Sequence, residues 1–343
     1  MAAAVSLVEL IKAALYGVIE GVTEWLPISS TGHMLLFEKF VQLQVSAQFW
    51  HMFLVVIQLG AILAVCVTFC KQLNFLAPSL TPSARKNTLV LWAKIIVACI
   101  PAAAVGIPLD DWMDEHLSSP YIIAAALIVY GVAFIVVEKI FTARERALGA
   151  RAATGLAAAP AMPAMPAGTE PLPHHAPKHM AVAAHDACAY TDAVDTGARV
   201  GADAAAETSR ITTLEALNWK TTIGIGIFQV LSIVPGTSRS GSTILGARML
   251  GCSRSVAAQF TFLLAVPVMV GASALRLVKY ILKKNIPTPN EAAILAVGCI
   301  VAFVVSLCVI HGLMRYIKRH DFQVFGWYRI VLGIITIAYF ALV

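Results

Sequence analysis

Charge is the scarcest commodity in this sequence: only 13% of its 343 residues are Asp, Glu, Lys or Arg, against roughly 25% in a soluble domain. Too few ionised groups are present to cover a water-facing surface, which excludes an ordinary soluble fold. The Met1–Ile11 start lacks a basic segment and a small-residue cleavage pattern, so no cleaved signal peptide is expected. No CxxC pair occurs among the seven cysteines (Cys66, Cys70, Cys99, Cys188, Cys252, Cys299 and Cys308). Six of the seven lie in or beside apolar segments, where free Cys behaves as a small hydrophobe. A disulfide framework or zinc site is therefore not expected. No ring of like residues repeats along the chain, which argues against an ion channel. What is abundant is apolar: 59% of residues are hydrophobic and the mean hydropathy is +0.79.

Six apolar segments are long enough to cross a hydrocarbon core of about 30 Å. They run over about Phe49–Cys70, Thr88–Pro108, Pro120–Phe141, Ser255–Lys279, Glu291–Ile317 and Val324–Val343. Between them, residues 144–214 form an Ala/Pro/Gly-rich stretch without periodicity, which reads as a disordered loop. Its His174, His175, His179, His185 and Cys188 have no metal-ligand spacing.

Two further apolar regions, about 7–43 and 219–251, are interrupted, one at Leu26-Pro27-Ile28-Ser29-Ser30 and the other at Val234-Pro235-Gly236-Thr237-Ser238. Each half is too short to span, and backbone freed by a break at membrane depth is tolerated only inside protein or beside a wet cavity. Two re-entrant hairpins are expected. They also resemble each other: Gly17-Val-Ile-Glu20 then Pro27-Ile-Ser29-Ser30-Thr31-Gly32 parallels Gly226-Ile-Phe-Gln229 then Pro235-Gly-Thr237-Ser238-Arg239-Ser240-Gly241. Each is followed by three spans. The pattern predicts an all-α polytopic membrane protein with six transmembrane helices and two re-entrant hairpins in an inverted-topology repeat (1–143 and 215–343), the site lying between the repeats.

The basic residues of Lys71–Asn87, Arg144, Arg146 and Arg151, and Arg315, Lys318 and Arg319 mark cytoplasmic turns. Asp110, Asp111, Asp114 and Glu115 mark an outer loop that has no Lys or Arg, while Lys279, Lys283 and Lys284 run against the bias. Hairpin one then opens to the periplasm and hairpin two to the cytoplasm. The net charge of +6 thus bears on orientation rather than on nucleic acid.

Glu20 and Glu24, four apart on a helical stretch, share one face. Each carboxylate at mid-bilayer costs roughly 2.5–3.5 kcal/mol even on the lenient insertion scale, so a metal ion, an Arg partner or a bound proton must compensate. Gly17 and Gly21 read as a close helix-packing site. Ser29, Ser30 or Thr31 would cap a new half-helix whose unpaired N–H groups attract phosphate. A hydroxyl there becomes a nucleophile beside a base, and His33 is a candidate base. In the second break, Arg239 stands in an apolar run among Ser238, Ser240, Thr243 and two glycines, and its guanidinium matches phosphate oxygens as a fork.

Glu20-Gly-Val-Thr-Glu24-Trp-Leu-Pro27-Ile-Ser-Ser-Thr-Gly-His33 resembles the (E/Q)xxxE motif and following SSTGH of the bacterial undecaprenyl-diphosphate phosphatases of the bacitracin-resistance type. Pro235-Gly-Thr-Ser-Arg239-Ser-Gly-Ser-Thr243 is similar to their PGxSRSxxT motif, and Val56-Ile-Gln58-Leu-Gly60 also matches. The likeness covers about residues 5–141 and 215–343, leaving Arg144–Arg210 as an insertion. It implies hydrolysis of undecaprenyl diphosphate to undecaprenyl phosphate and inorganic phosphate, at a periplasm-facing site in a bacterial inner membrane. A divalent cation, Mg²⁺ or Ca²⁺, would sit at Glu20 and Glu24. Ser30 would be the nucleophile with His33 as base or acid, His33 being the alternative nucleophile. Arg239 would clamp the diphosphate, with Ser29, Thr31, Gln229, Ser238, Ser240 and Thr243 binding substrate. The expected partners are the lipid substrate and bilayer lipids, not nucleic acid, with a homodimer left open. The competing reading is a flippase for undecaprenyl phosphate, because paired broken helices in an inverted repeat also build transporters.

Overall fold

The computed structural model describes residues 6–78, 80–117, 119–157 and 211–342. The chain divides into two units, Met1–Phe141 with Ser209–Val343, and Thr142–Thr208. The two halves that the sequence reading separates therefore pack as one unit, and the site belongs to it.

Apart from one isolated bridge between Ile211 and Cys252, the regular structure among the described residues is helical. Six helical stretches are long and apolar enough to cross a membrane: Ala47–Thr68, Pro82–Leu109, Pro120–Arg144, Arg254–Leu282, Pro289–Tyr316 and Gln323–Leu342. They lie within a few residues of the six apolar segments, and the protein is multi-pass. The first combines α3 (Ala47–Val56) and α4 (Gln58–Thr68), followed by a single turn, α5 (Cys70–Leu73). The others belong to α6 (Pro82–Leu117), α7 (Pro120–Ala157), α10 (Arg254–Leu282), α11 (Pro289–Tyr316) and α12 (Gln323–Leu342).

Their ends follow local chemistry. Pro opens α6, α7 and α11, where a missing N–H costs nothing. Thr288 and Glu291 form a reciprocal capping box on α11, with bonds of 3.2 and 2.9 Å. Side chains such as Ile100, Val129, Ile300 and Ile334 stay exposed on the outer faces, as lipid-facing residues do. Trp25 is fully buried and edge-on to Phe262 at 5.3 Å.

The helix α7 continues to Ala157, beyond Arg144 where the sequence reading starts its loop. The reason is local: Arg144-Glu-Arg-Ala-Leu-Gly-Ala is mostly strong helix formers, a preference that composition alone conceals. The remainder of that loop, 158–210 with its histidines, lies outside the described residues.

The two interrupted regions are α1 (Leu7–Thr23) and α2 (Ser30–Glu38), then α8 (Trp219–Val230) and α9 (Arg239–Met249), with a 3-10 turn at Leu231–Ile233. Each packs against a span of the other half through glycine. A Cβ at Gly17 would lie 2.6 Å from Gly298 O in α11, and one at Gly226 would lie 2.5 Å from Ala98 O in α6. At the third pair of helices the contact is reciprocal: Gly131 of α7 and Gly326 of α12 each approach the other's carbonyl oxygen, at 2.7 Å from the built Cβ in both directions. Gly17 and Gly21 are thus the packing residues their spacing suggested.

Candidate functional site

The same turn is built twice. Ser29 and Ser238 both hold positive φ, 74° and 69°, where non-glycine residues are strained. Each is the N-cap of a half-helix, its Oγ accepting from the N–H three residues on: Gly32 at 3.3 Å and Gly241 at 3.1 Å. The starts of α2 and α9 meet around a cavity of about 190 Å³, whose lining includes Glu24, Ser29, Ser30, Thr31, Ser238 and Arg239.

Glu24 organises the cavity. Its Oε1 accepts from Arg239 Nη2 at 2.8 Å, and its Oε2 accepts a short hydrogen bond from Ser30 Oγ. Both side chains of the ion pair are largely buried, at 6% and 12% exposure, so desolvation offsets most of their attraction. Of the three ways to compensate a buried carboxylate, Glu24 has an Arg partner. Behind the cavity, Ser240 Oγ lies 3.0 Å from Glu24 O and 3.2 Å from Leu26 O, tying α9 to the first break. Thr243 Oγ1 donates to Arg239 O at 2.9 Å and accepts from Thr261 at 2.9 Å. Ser240 and Thr243 thus hold the backbone of the break rather than line the cavity.

Other candidates sit elsewhere. Glu20 and Gln229 are buried on α1 and α8, outside the cavity lining. His33 is also absent from the lining. Its Nδ1 lies 2.7 Å from Ser29 O, which can only accept, so Nδ1 carries the proton; Nε2 then accepts from the Tyr328 hydroxyl at 2.7 Å. The hydroxyl of Ser30 is therefore met by Glu24 and not by the imidazole.

Among the described residues no cluster of three or more His, Cys, Asp or Glu gathers in metal-binding distance. Glu20 nevertheless lies one helical turn from Glu24, within reach of its carboxyl group. A hard divalent cation suits such a group, so Glu20 with Glu24 fits as a site of modest donor number.

Sequence reasoning missed three contributors. Gln58 and Ser232 line the cavity from α4 and the 3-10 turn. Arg329 of α12 is 0% exposed and donates to carbonyls in both breaks. The signal existed, since an ionisable residue inside an apolar span is a functional pointer.

Fold and site together define a class: a multi-pass helical membrane protein in which two broken helices enclose a small polar cavity with a hydroxyl, a carboxylate and a guanidinium. A family model described as bacitracin resistance protein BacA matches residues 13–166 and 182–335. The chain belongs to that family. A relative from Streptococcus thermophilus named undecaprenyl-diphosphatase is 44% identical over 333 residues, covering 97% of this chain and 94% of the relative. Proteins of the same name from Lactiplantibacillus plantarum and Enterococcus faecalis are 42% and 40% identical, covering 98% and 96% of this chain and 100% and 96% of their own lengths. The family match includes residues 144–166 and 182–210, so most of the stretch read as an insertion falls within the family pattern.

Proposed function

We propose that the protein hydrolyses undecaprenyl diphosphate to undecaprenyl phosphate and inorganic phosphate in the cavity between the two breaks. This regenerates the lipid carrier for peptidoglycan synthesis and gives the bacitracin resistance of the family name. The observation that carries the reading is the chain Ser30 Oγ to Glu24 to Arg239, which joins a nucleophile, a base and a phosphate-binding cation across the cavity.

The terminal phosphate of the substrate enters against the N–H groups of α2 and α9, and Arg239 turns its fork toward the phosphate oxygens. Glu24, its charge less fully matched, accepts the Ser30 proton as Oγ attacks phosphorus. The bridging P–O bond breaks and undecaprenyl phosphate leaves. Water then attacks the phosphoserine, the Ser30 Oγ–P bond breaks as the proton held by Glu24 returns to Oγ, and inorganic phosphate departs carrying both hydrogens of the water. Arg239 and the half-helix N–H groups stabilise charge on the transferred phosphoryl oxygens. The base role first given to His33 passes to Glu24, and His33 orients Ser29. Mg²⁺ or Ca²⁺ held by Glu20 and Glu24 would neutralise charge on the diphosphate.

The site is further proposed to face the periplasm of a bacterial inner membrane, between two inverted repeats each starting with a re-entrant hairpin. The matched Ser29 and Ser238 turns and the reciprocal glycine crossings support the repeat. Half-helices of nine and eleven residues, about 14–17 Å long, favour hairpins over spans. The same architecture would suit the transporter reading. Phosphate release from undecaprenyl diphosphate by purified protein in detergent separates the two, because flipping has no meaning there. Release at enzyme-like turnover supports the phosphatase, and none from folded protein leaves the flippase.

A further inference from the structure

One fully buried guanidinium stands between the two breaks, and the mechanism above makes no use of it. Arg329 lies in the apolar run of α12 and forms no ion pair among the described residues. An unpaired cation removed from water is among the most costly groups a fold can hold. What Arg329 meets instead are the face of the Tyr130 ring, 5.3 Å from the guanidinium to its centroid, and three backbone carbonyls: Nη1 donates to Pro27 O at 3.0 Å, and Nη2 donates to Gly236 O at 2.8 Å and Thr237 O at 2.9 Å. Pro27 precedes Ser29 and Ser30 in the first break, while Gly236 and Thr237 precede Ser238 and Arg239 in the second. A helix break leaves such carbonyls without donors at membrane depth. One side chain satisfies oxygens from both breaks and so fixes their separation.

The neighbouring residue extends the grip. Tyr328 donates to His33 Nε2, and His33 Nδ1 donates to Ser29 O. The imidazole and phenol rings lie nearly parallel with centroids 5.6 Å apart. Two consecutive residues of α12 thus control the carbonyls on either side of the cavity.

We propose that the Tyr328–Arg329 pair is the positioning device of the site. It rests on the phosphatase reading and sets the distance between the Ser30 hydroxyl and the Arg239 guanidinium. Arg is required at 329 because two segments must be reached from one planar group with donors on two nitrogens. The ammonium of Lys is a single compact centre on a shorter reach. Neither residue lines the cavity, so ground-state binding by Arg239 survives their loss while the alignment for attack does not. A displacement of about 1 Å at a reacting centre costs on the order of 100-fold in rate.

The experiment measures phosphate release in detergent by wild type, Arg329→Lys, Arg329→Met and Tyr328→Phe. Size-exclusion profile and thermal melting count the folded fraction. Per folded molecule, kcat should fall about 30–100-fold in the Arg329 variants and about 5–10-fold in Tyr328→Phe, with KM within about threefold of wild type. Wild-type kcat in folded Arg329→Lys, or losses confined to KM, overturns the proposal and leaves the phosphatase reading standing. If neither Arg329 variant folds, Tyr328→Phe decides alone: an undiminished kcat there overturns the proposal. A wild type that releases no phosphate removes the phosphatase reading, and this inference with it.

Discussion

In the proposed mechanism Glu24 is the residue on which the chemistry turns, because it touches both the hydroxyl and the guanidinium. Glu24→Gln keeps the shape and removes the base, so kcat should fall about 10²–10⁴-fold, read by single-turnover phosphate release. The folded yield should drop as well, since the change leaves Arg239 without its carboxylate. These residues were legible in the sequence because ionisable and hydroxyl groups stand out in apolar runs. The role of His33 was not. Spacing put it on the face of Ser30, yet a histidine in the first turn of a half-helix can also reach the carbonyl four residues back, and Ser29 O accepts its Nδ1–H. Arg329 was passed over because averaged hydropathy along α12 absorbs a single charge.

At the scale of elements, the six spans and both breaks could be read from hydropathy and Pro-Gly-Ser chemistry, whereas the glycine crossings involve residues far apart in sequence. Gly326→Val places methyl groups where the carbonyl of Gly131 and the side chain of Ile135 already stand. It should destabilise the α7–α12 contact by about 1–3 kcal/mol, measured as a lower melting temperature in detergent. A buried ion group fixes the far end of α9: Glu138 of α7 accepts from Arg248 at 3.2 Å and from Arg254 at 3.1 and 3.0 Å. Glu138→Gln leaves those cations short of a carboxylate and should cost about 3–5 kcal/mol. Turnover per folded molecule should stay near wild type, because the three residues hold the C-terminal end of α9, touching neither break nor the cavity lining.

At the scale of the whole molecule, the proposed orientation puts the α10–α11 turn outside and the α11–α12 turn inside. Cysteine-free protein carrying Lys283→Cys should react with a membrane-impermeant maleimide on intact cells, and the Arg319→Cys counterpart only after lysis; both positions are exposed. The reverse pattern would invert the topology and turn the cavity toward the cytoplasm. Packing of the two halves into one unit explains why neither holds a complete site: Ser30 and Glu24 come from the first, Arg239 from the second.

Attack by the Ser30 hydroxyl leaves a phosphoserine, which covalent capture detects. Purified protein is mixed with undecaprenyl diphosphate labelled in its terminal phosphate, quenched within a turnover and digested, and the labelled peptide is sequenced by mass spectrometry under both mild acid and mild alkali. Label is expected on Ser30, stable to acid, absent from Ser30→Ala and paralleled there by lost phosphate release. Acid-labile label on His33, or full turnover by Ser30→Ala, would contradict attack by Ser30.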